Sequence, residues 1–246
     1  MSEIPKVIHY CWFGGNKLPK SAQKCMSSWK KYLPDYEIKE WNESNFDFNC
    51  CPYAKEAYDA KKWAFVSDFA RFKILYEEGG VYFDTDVEII KFLQGIIDKG
   101  AFMGRQDDYV VAPGLGVAAS RGNHIIGELL DLYYTLHFKN EDGSLNLKTI
   151  VQYTTELLEK HGLDYCDGIQ EVEGINIYPK DYFSPKDPIF KTLTITKNTY
   201  TIHHFDGTWL PRSLKMKKKI QYVLGNKITN FIVKLKSIFK RNKNAR

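Results

Sequence analysis

One run of eight residues constrains this chain more than any other: Gly79-Gly80-Val81-Tyr82-Phe83-Asp84-Thr85-Asp86. The glycine pair reads as the left-handed cap of a preceding helix. Val81-Tyr82-Phe83 reads as a short buried strand. In an extended chain residues i and i+2 point the same way, so Asp84 and Asp86 face one site. Such a site lies just beyond the carboxyl end of a buried strand, where open α/β sheets bind ligands. Two carboxylates held close repel unless a cation sits between them, and hard oxygens suit Mg²⁺ or Mn²⁺, which bridge phosphate oxygens. An Asp-x-Asp in isolation favours a solvated turn; the cap and apolar strand before it shift the reading to a metal–diphosphate site.

The chain around this run supports an α/β fold. Val7-Ile8-His9-Tyr10-Cys11-Trp12-Phe13 reads as a buried strand ended by Gly14-Gly15. Residues 19–33 read as a helix stopped by Pro34-Asp35, and Tyr36 to Trp41 as a second strand, which makes a parallel crossover unit. Residues 53–78 read as a long helical region broken near Lys61-Lys62. Alternation then continues: strands at 87–90, 110–119 (glycine-rich), 175–178 and 194–203, helices at 122–137 and 147–161. Hydrophobic residues at 43% and charged residues at 26% are globular, not disordered or fibrous, composition. No apolar run approaches the roughly 20 residues needed to cross a bilayer. Met1 to Lys6 lead straight into a strand, so no secretory leader is expected. The five cysteines, Cys11, Cys25, Cys50, Cys51 and Cys166, form no Cys-x-x-Cys pair, which argues for reduced thiols and against a zinc knuckle.

Charge divides the chain in two. Residues 212–246 hold twelve Lys/Arg and no Asp/Glu, whereas residues 1–211 carry 23 basic and 30 acidic residues. The expected organisation is a catalytic domain over 1–211 and a basic tail over 212–246. Within the tail, Ile220, Val223, Leu224, Ile228, Phe231, Ile232, Leu235, Ile238 and Phe239 recur at helical steps among lysines. A basic amphipathic helix over 213–241 reads as an anchor on an anionic membrane surface or, alternatively, as a helix packed on the body. No stacking platform or recognition motif points to nucleic acid.

Further candidates surround the acidic pair. Asp68 and Arg71 share one face of an apolar helix; they read either as an intrahelical ion pair or as groups that hold a sugar and a phosphate. Trp12 beside its glycine turn either stacks on a nucleobase or caps the core. His203-His204-Phe205-Asp206-Gly207-Thr208-Trp209 offers imidazole, hydroxyl and indole donors near the end of the body, or a pair of surface histidines. Asp107 and Asp108 read as solvated loop acids with a weaker acceptor-side reading, and Gly114-Leu115-Gly116 as backbone that can approach a sugar closely.

Taken together, residues 4–15, 64–71 with 79–86, and 203–209 resemble the DXD-motif glycosyltransferases of family 32. Its members include bacterial capsular polysaccharide transferases, yeast mannosyltransferases and, more distantly, the large clostridial glucosylating toxins. The resemblance spans residues 4 to 209 and is nearest to the bacterial capsule type. It implies a GT-A fold, a Rossmann-like mixed sheet between helices, with Mn²⁺ or Mg²⁺ and a nucleotide-sugar donor, expected to be a UDP-sugar. It implies catalytic roles for Asp68, Arg71, Asp84 and Asp86. It places His9, Trp12, Asp68, Arg71, Tyr82, Asp84, Thr208 and Trp209 around the donor, and Asp84, Asp86 and His204 on the metal. Family members retain anomeric configuration. Val151-Gln152-Tyr153-Thr154 departs from the Gly-Pro element several relatives carry there.

The expected function is transfer of a hexose to a lipid-linked glycan in capsular or exopolysaccharide synthesis. The expected location is cytoplasmic, peripheral on the inner face of the plasma membrane. Two other readings compete. One is a haloacid dehalogenase-like phosphatase with Asp84 as nucleophile, although Val87-Glu88-Ile89 continues as strand where that motif turns into a loop. The other is a non-catalytic membrane-bound scaffold.

Overall fold

The apolar run after Lys6 forms strand β1 (Val7–Cys11), and the helix expected after the glycine turn follows as α1 (Lys20–Tyr32). β2 (Glu37–Trp41) then returns parallel to β1, with Ile8 opposite Ile38. This computed structural model describes residues 3–164, 167–187 and 192–207. The chain divides into two units, residues 1–205 and 206–246. The proposed tail helix, Thr208, Trp209 and Cys166 lie outside the described residues.

Helix α2 (Pro52–Asp59) ends at Ala60, and α3 (Trp63–Glu78) begins after Lys62. The break falls where Lys61-Lys62 marked it; Lys61 adopts φ +55°. α3 is apolar around most of its girth, and Val66, Phe69, Phe72 and Leu75 are fully enclosed. A helix of that composition belongs inside a domain. It packs against α2, β1 and α5 (His124–Thr135). Burying each phenyl ring contributes about 1.5–3 kcal/mol.

α3 ends on Gly79 and delivers the chain into β3 (Gly80–Tyr82). Both glycines have positive φ, +68° and +104°. A Cβ on Gly80 would lie 2.8 Å from the Val7 carbonyl and 2.9 Å from His9 Nε2. Only glycine lets β3 lie this close to β1, its parallel neighbour.

A turn separates β3 from β4 (Val87–Ile89), and a short helix α4 (Gln94–Ile97) leads to β5 (Phe102–Gly104). β6 (Val117–Ala119) precedes α5. After α6 (Ile150–Lys160) come β7 (Gln170–Val172), β8 (Ile175–Tyr178) and α7 (Lys180–Phe183). The last described strand is β9 (Thr201–His203). Seven strands make one sheet in the order β2-β1-β3-β6-β5-β8-β7, and β4 pairs with β9 in a separate ribbon. Neighbours in the large sheet are parallel at β2-β1, β1-β3 and β5-β8, and antiparallel elsewhere. This is the expected mixed sheet between helices. One core cluster joins α2, α3, α5 and α6; another lies between the sheet and α1, β4 and α7.

The expected strand over 194–203 is real only at Thr201–His203. Upstream, Thr196 and Asn198 side chains bond Asp181, and Thr199 Oγ1 donates to the Asp181 carbonyl at 2.8 Å. Side-chain hydroxyls and amides thus take up hydrogen bonds in place of a ladder.

Candidate active site

Phe83 N–H still bonds the His9 carbonyl (3.2 Å), so pairing with β1 carries the chain to the edge of the site. Asp84 N–H then turns to Gly114 O, and Val87 N–H closes back on Asp84 O at 3.0 Å. Asp84-Thr85-Asp86 is therefore a turn, not the extended segment assumed from spacing. It still brings both acids to one place. Asp84, Asp86 and His203 offer ligand atoms that all lie within 4.8 Å of one another.

The imidazole comes from β9. Val87 pairs with His203, Glu88 with Ile202 and Ile89 with Thr201. His203 Nε2 lies 2.9 Å from Asp86 Oδ1. Its other nitrogen is buried with no hydrogen-bond partner. Burial opposes the charged imidazolium, but Asp86 and then Asp84 outweigh it and raise the His203 pKa.

His204, the expected metal ligand, points elsewhere. Successive residues at a strand end turn to opposite sides. His204 Nε2 meets Glu88 Oε2 at 2.8 Å, and its Nδ1 faces Lys186 Nζ at 3.4 Å. Among the described residues, the imidazole gathered with the two acids is that of His203.

α3 supplies the opposite wall. Arg71 Nη2 lies 2.9 Å from Asp68 Oδ1 and 3.1 Å from Asp84 Oδ1, so one guanidinium joins helix to turn. Its plane rests on the Tyr82 ring, 4.7 Å from the centroid. The Arg71 side chain is 4% exposed, yet Nη1 has no hydrogen-bond partner. A buried charged donor without an acceptor is costly, which makes Nη1 fit for an anionic or hydroxyl oxygen of a bound molecule. Burial opposes the Arg71 charge, but Asp84, Tyr82 and Asp68 keep its pKa raised. Burial is also the largest influence on Asp68, pushing it up to about 7 against the pull of Arg71. Asp84 is raised for the same reason, with Arg71 and His203 pulling it down.

Two residues expected around the donor are enclosed within the protein. His9 is fully buried, and both ring nitrogens are engaged inside the protein. Trp41 Nε1–H donates to His9 Nδ1 (3.1 Å), so the ring proton sits on Nε2 and donates to Gly79 O (2.9 Å). Burial lowers its pKa and keeps this tautomer neutral. Tyr82 is 1% exposed and reaches the site only as the platform beneath Arg71.

Trp12 is partly buried beside the Gly14 turn, its indole donating to Asn16 O at 2.5 Å. Asp107 caps its own loop through the Tyr109 and Val110 amides, and Asp108 pairs with Lys180. One neighbour of the site was missed in the sequence: Trp63 stands two turns before Arg71 on α3, against Gly14. Gly114, read as backbone open to close approach, lies face-on to the Asp84 carboxylate, where a Cβ would come within 2.2 Å of Oδ2.

The chain is similar to several known proteins. Residues 19–103 match the family model described as a glycosyltransferase sugar-binding region containing a DXD motif. Inositol phosphoceramide mannosyltransferase 3 of Schizosaccharomyces pombe is 30% identical over 106 residues, covering 42% of this chain and 30% of that protein. An uncharacterized glycosyltransferase of Acanthamoeba polyphaga mimivirus is 25% identical over 220 residues, 85% of this chain and 84% of its own length. Among solved structures, the PaToxG glycosyltransferase superposes with a TM-score of 0.49 at 19% identity, covering 64% of this chain and 68% of that one. The chain thus spans under a third of the yeast relative. The matched region contains Asp68, Arg71, Asp84 and Asp86, the residues that meet in the structure, and over it this chain is similar to the DXD-containing sugar-binding region of glycosyltransferases.

Proposed function

We propose that this protein is a divalent-metal-dependent hexosyltransferase. It takes a hexose from a UDP-sugar, with retention at the anomeric carbon, and delivers it to a lipid-linked glycan. The pathway is capsular or exopolysaccharide assembly at the inner face of the plasma membrane. One observation carries the reading. A donor set of two carboxylates and an imidazole lies beside a buried guanidinium whose Nη1 lacks an acceptor. Hard oxygens with one nitrogen suit Mn²⁺ or Mg²⁺, and the guanidinium suits the negative oxygens such a cation accompanies.

In this reading Asp84, Asp86 and His203 hold the cation, and Arg71 donates from Nη1 to an oxygen of the donor. Asp68 accepts from hexose hydroxyls while Arg71 fixes its orientation. Trp12 stacks on the base. A bound divalent cation neutralises charge developing on the departing nucleoside diphosphate. The name of the S. pombe relative couples mannosyl transfer to a ceramide, which supports a lipid-borne acceptor here.

The test is product analysis with Mn²⁺ across a panel of nucleotide sugars. UDP release is expected from the parent protein. The Asp86→Asn variant should lose it by at least two orders of magnitude, with an unchanged circular dichroism spectrum. Phosphate release from simple phosphomonoesters, without UDP release, would instead favour the phosphatase reading with Asp84 as nucleophile.

A further inference from the structure

Three segments far apart in sequence meet on one face of the first unit, and their composition differs from the rest of the body. They are α1, the segment 87–93 and the loop 192–200. α1 lies along β4: Trp29 Nε1 donates to Val87 O, and Ser28 Oγ accepts from Ile89 N. Phe92, 65% exposed, meets the Tyr32 ring edge-on at 5.4 Å. Lys31 Nζ lies over that same ring, 4.9 Å from its centroid. Next to Phe92, Lys91 covers Tyr200 at 4.4 Å and donates to Lys197 O at 3.0 Å. Leu193 and Ile195, 48% and 56% exposed, continue the loop.

Across these three segments stand six lysines and one acid, Glu88. Glu88 is already engaged by His204 and Lys24. Lys20, Lys30 and Lys31 meet no carboxylate among the described residues. The surrounding body, residues 1–211, holds more acids than bases. Isolated surface apolar groups are ordinary. Phe92 is not isolated: it stands against Tyr32, over which Lys31 lies, and next to Lys91, which reaches the loop carrying Leu193 and Ile195.

We infer that this face docks on an anionic lipid bilayer. Lysine ammonium groups meet the headgroups while Phe92 and Ile195 enter the boundary with the acyl chains, as aromatic and aliphatic side chains rimmed by lysine do at membrane interfaces. A polyanion such as RNA would take the lysines but leave the exposed apolar side chains unused. β4 begins directly after Asp86, so the docked face lies one short strand from the metal-binding cluster. The inference borrows its purpose from the lipid-borne acceptor proposed above, but its test involves no sugar transfer, so either can fail alone.

The experiment uses the full chain and sedimentation with phosphatidylcholine vesicles containing 30% phosphatidylglycerol, against pure phosphatidylcholine, at 0.15 M salt. Lys30→Gln with Lys31→Gln and Phe92→Ser should cut partitioning to the anionic vesicles by at least about tenfold, each lysine contributing roughly fivefold. Mn²⁺ and UDP binding should stay at parental values. A companion variant, Lys217→Gln with Lys218→Gln and Lys219→Gln, reports the tail separately. Parental partitioning of the face variant overturns the inference, whatever the tail variant does. So does a loss of RNA binding that equals or exceeds the loss of vesicle binding, or a parental dimer that Phe92→Ser dissociates. In Phe92→Trp, brominated acyl chains should quench the added emission. No added quenching overturns insertion of this side chain, and with it the proposal.

Discussion

Position 114 admits no side chain without moving Asp84. A methyl group there would stand 2.2 Å from Asp84 Oδ2 and 3.2 Å from Arg71 Nη1. Gly114→Ala is therefore expected to displace the Asp84 carboxylate and weaken Mn²⁺ binding by about 10–100-fold, the range for a group that orients a ligand. Calorimetric titration with Mn²⁺ checks this. Gly116→Ala is the contrast: at φ +139° and against the Phe83 ring, it should lower the melting temperature and spare metal affinity. Asp68 makes a separate prediction. Its folded pKa, about 7, exceeds the ordinary value near 4. Its contribution to stability is therefore full below pH 4 and fades as pH rises through 7. With metal chelated, Asp68→Asn should gain melting temperature relative to the parent more at pH 8 than at pH 5. Sequence disclosed Asp68 and Arg71 because their i,i+3 helical relation survives folding, and Asp84 with Asp86 because the turn gathers them as the assumed strand would have. It could not choose between His203 and His204, since strand register alone decides which imidazole faces the acids. His9 was misread because nothing in its neighbours announces a bond to Trp41, 32 residues away.

At the scale of elements, long apolar periodicity was easily read and three-residue strands were not. The helices α1, α3, α5 and α6 stand within a few residues of their expected bounds. Their core faces recur often enough to be seen. β5 and β7 carry too few residues for any period to show. The strand proposed over 194–203 failed for another reason: β-branched threonines there serve Asp181 instead of a ladder. α3 carries Asp68 and Arg71 and more buried residues than any other described helix, so its packing is where damage should be greatest. Phe72 is fully enclosed. Phe72→Ala should cost about 3–5 kcal/mol, measured by urea unfolding, as for other buried phenylalanines. Tyr76 on the same helix is 40% exposed, and Tyr76→Ala should cost far less.

For the molecule as a whole, charge is distributed by segment. Net charge over the full chain is +5. Removing residues 213–246 takes away eleven basic residues and no acid, which turns the sign negative. The truncated protein should bind anionic vesicles at least tenfold more weakly at low salt, with the face built on α1 carrying what remains. Vesicle sedimentation across a salt series checks it. No helix among the described residues is long and apolar enough to cross a membrane. The domain-scale sheet order was beyond reach of the sequence, because β3 pairs with β6 across loops and helices that carry no register signal.

The imidazole that completes the acid pair stands 117 residues after Asp86. On a ribosome adding 5–20 residues each second, the two are born on the order of ten seconds apart. Through that interval the nascent chain presents a half-built clamp, two acids with no nitrogen. Gathering of all three groups waits until the ribbon of β4 and β9 zips shut.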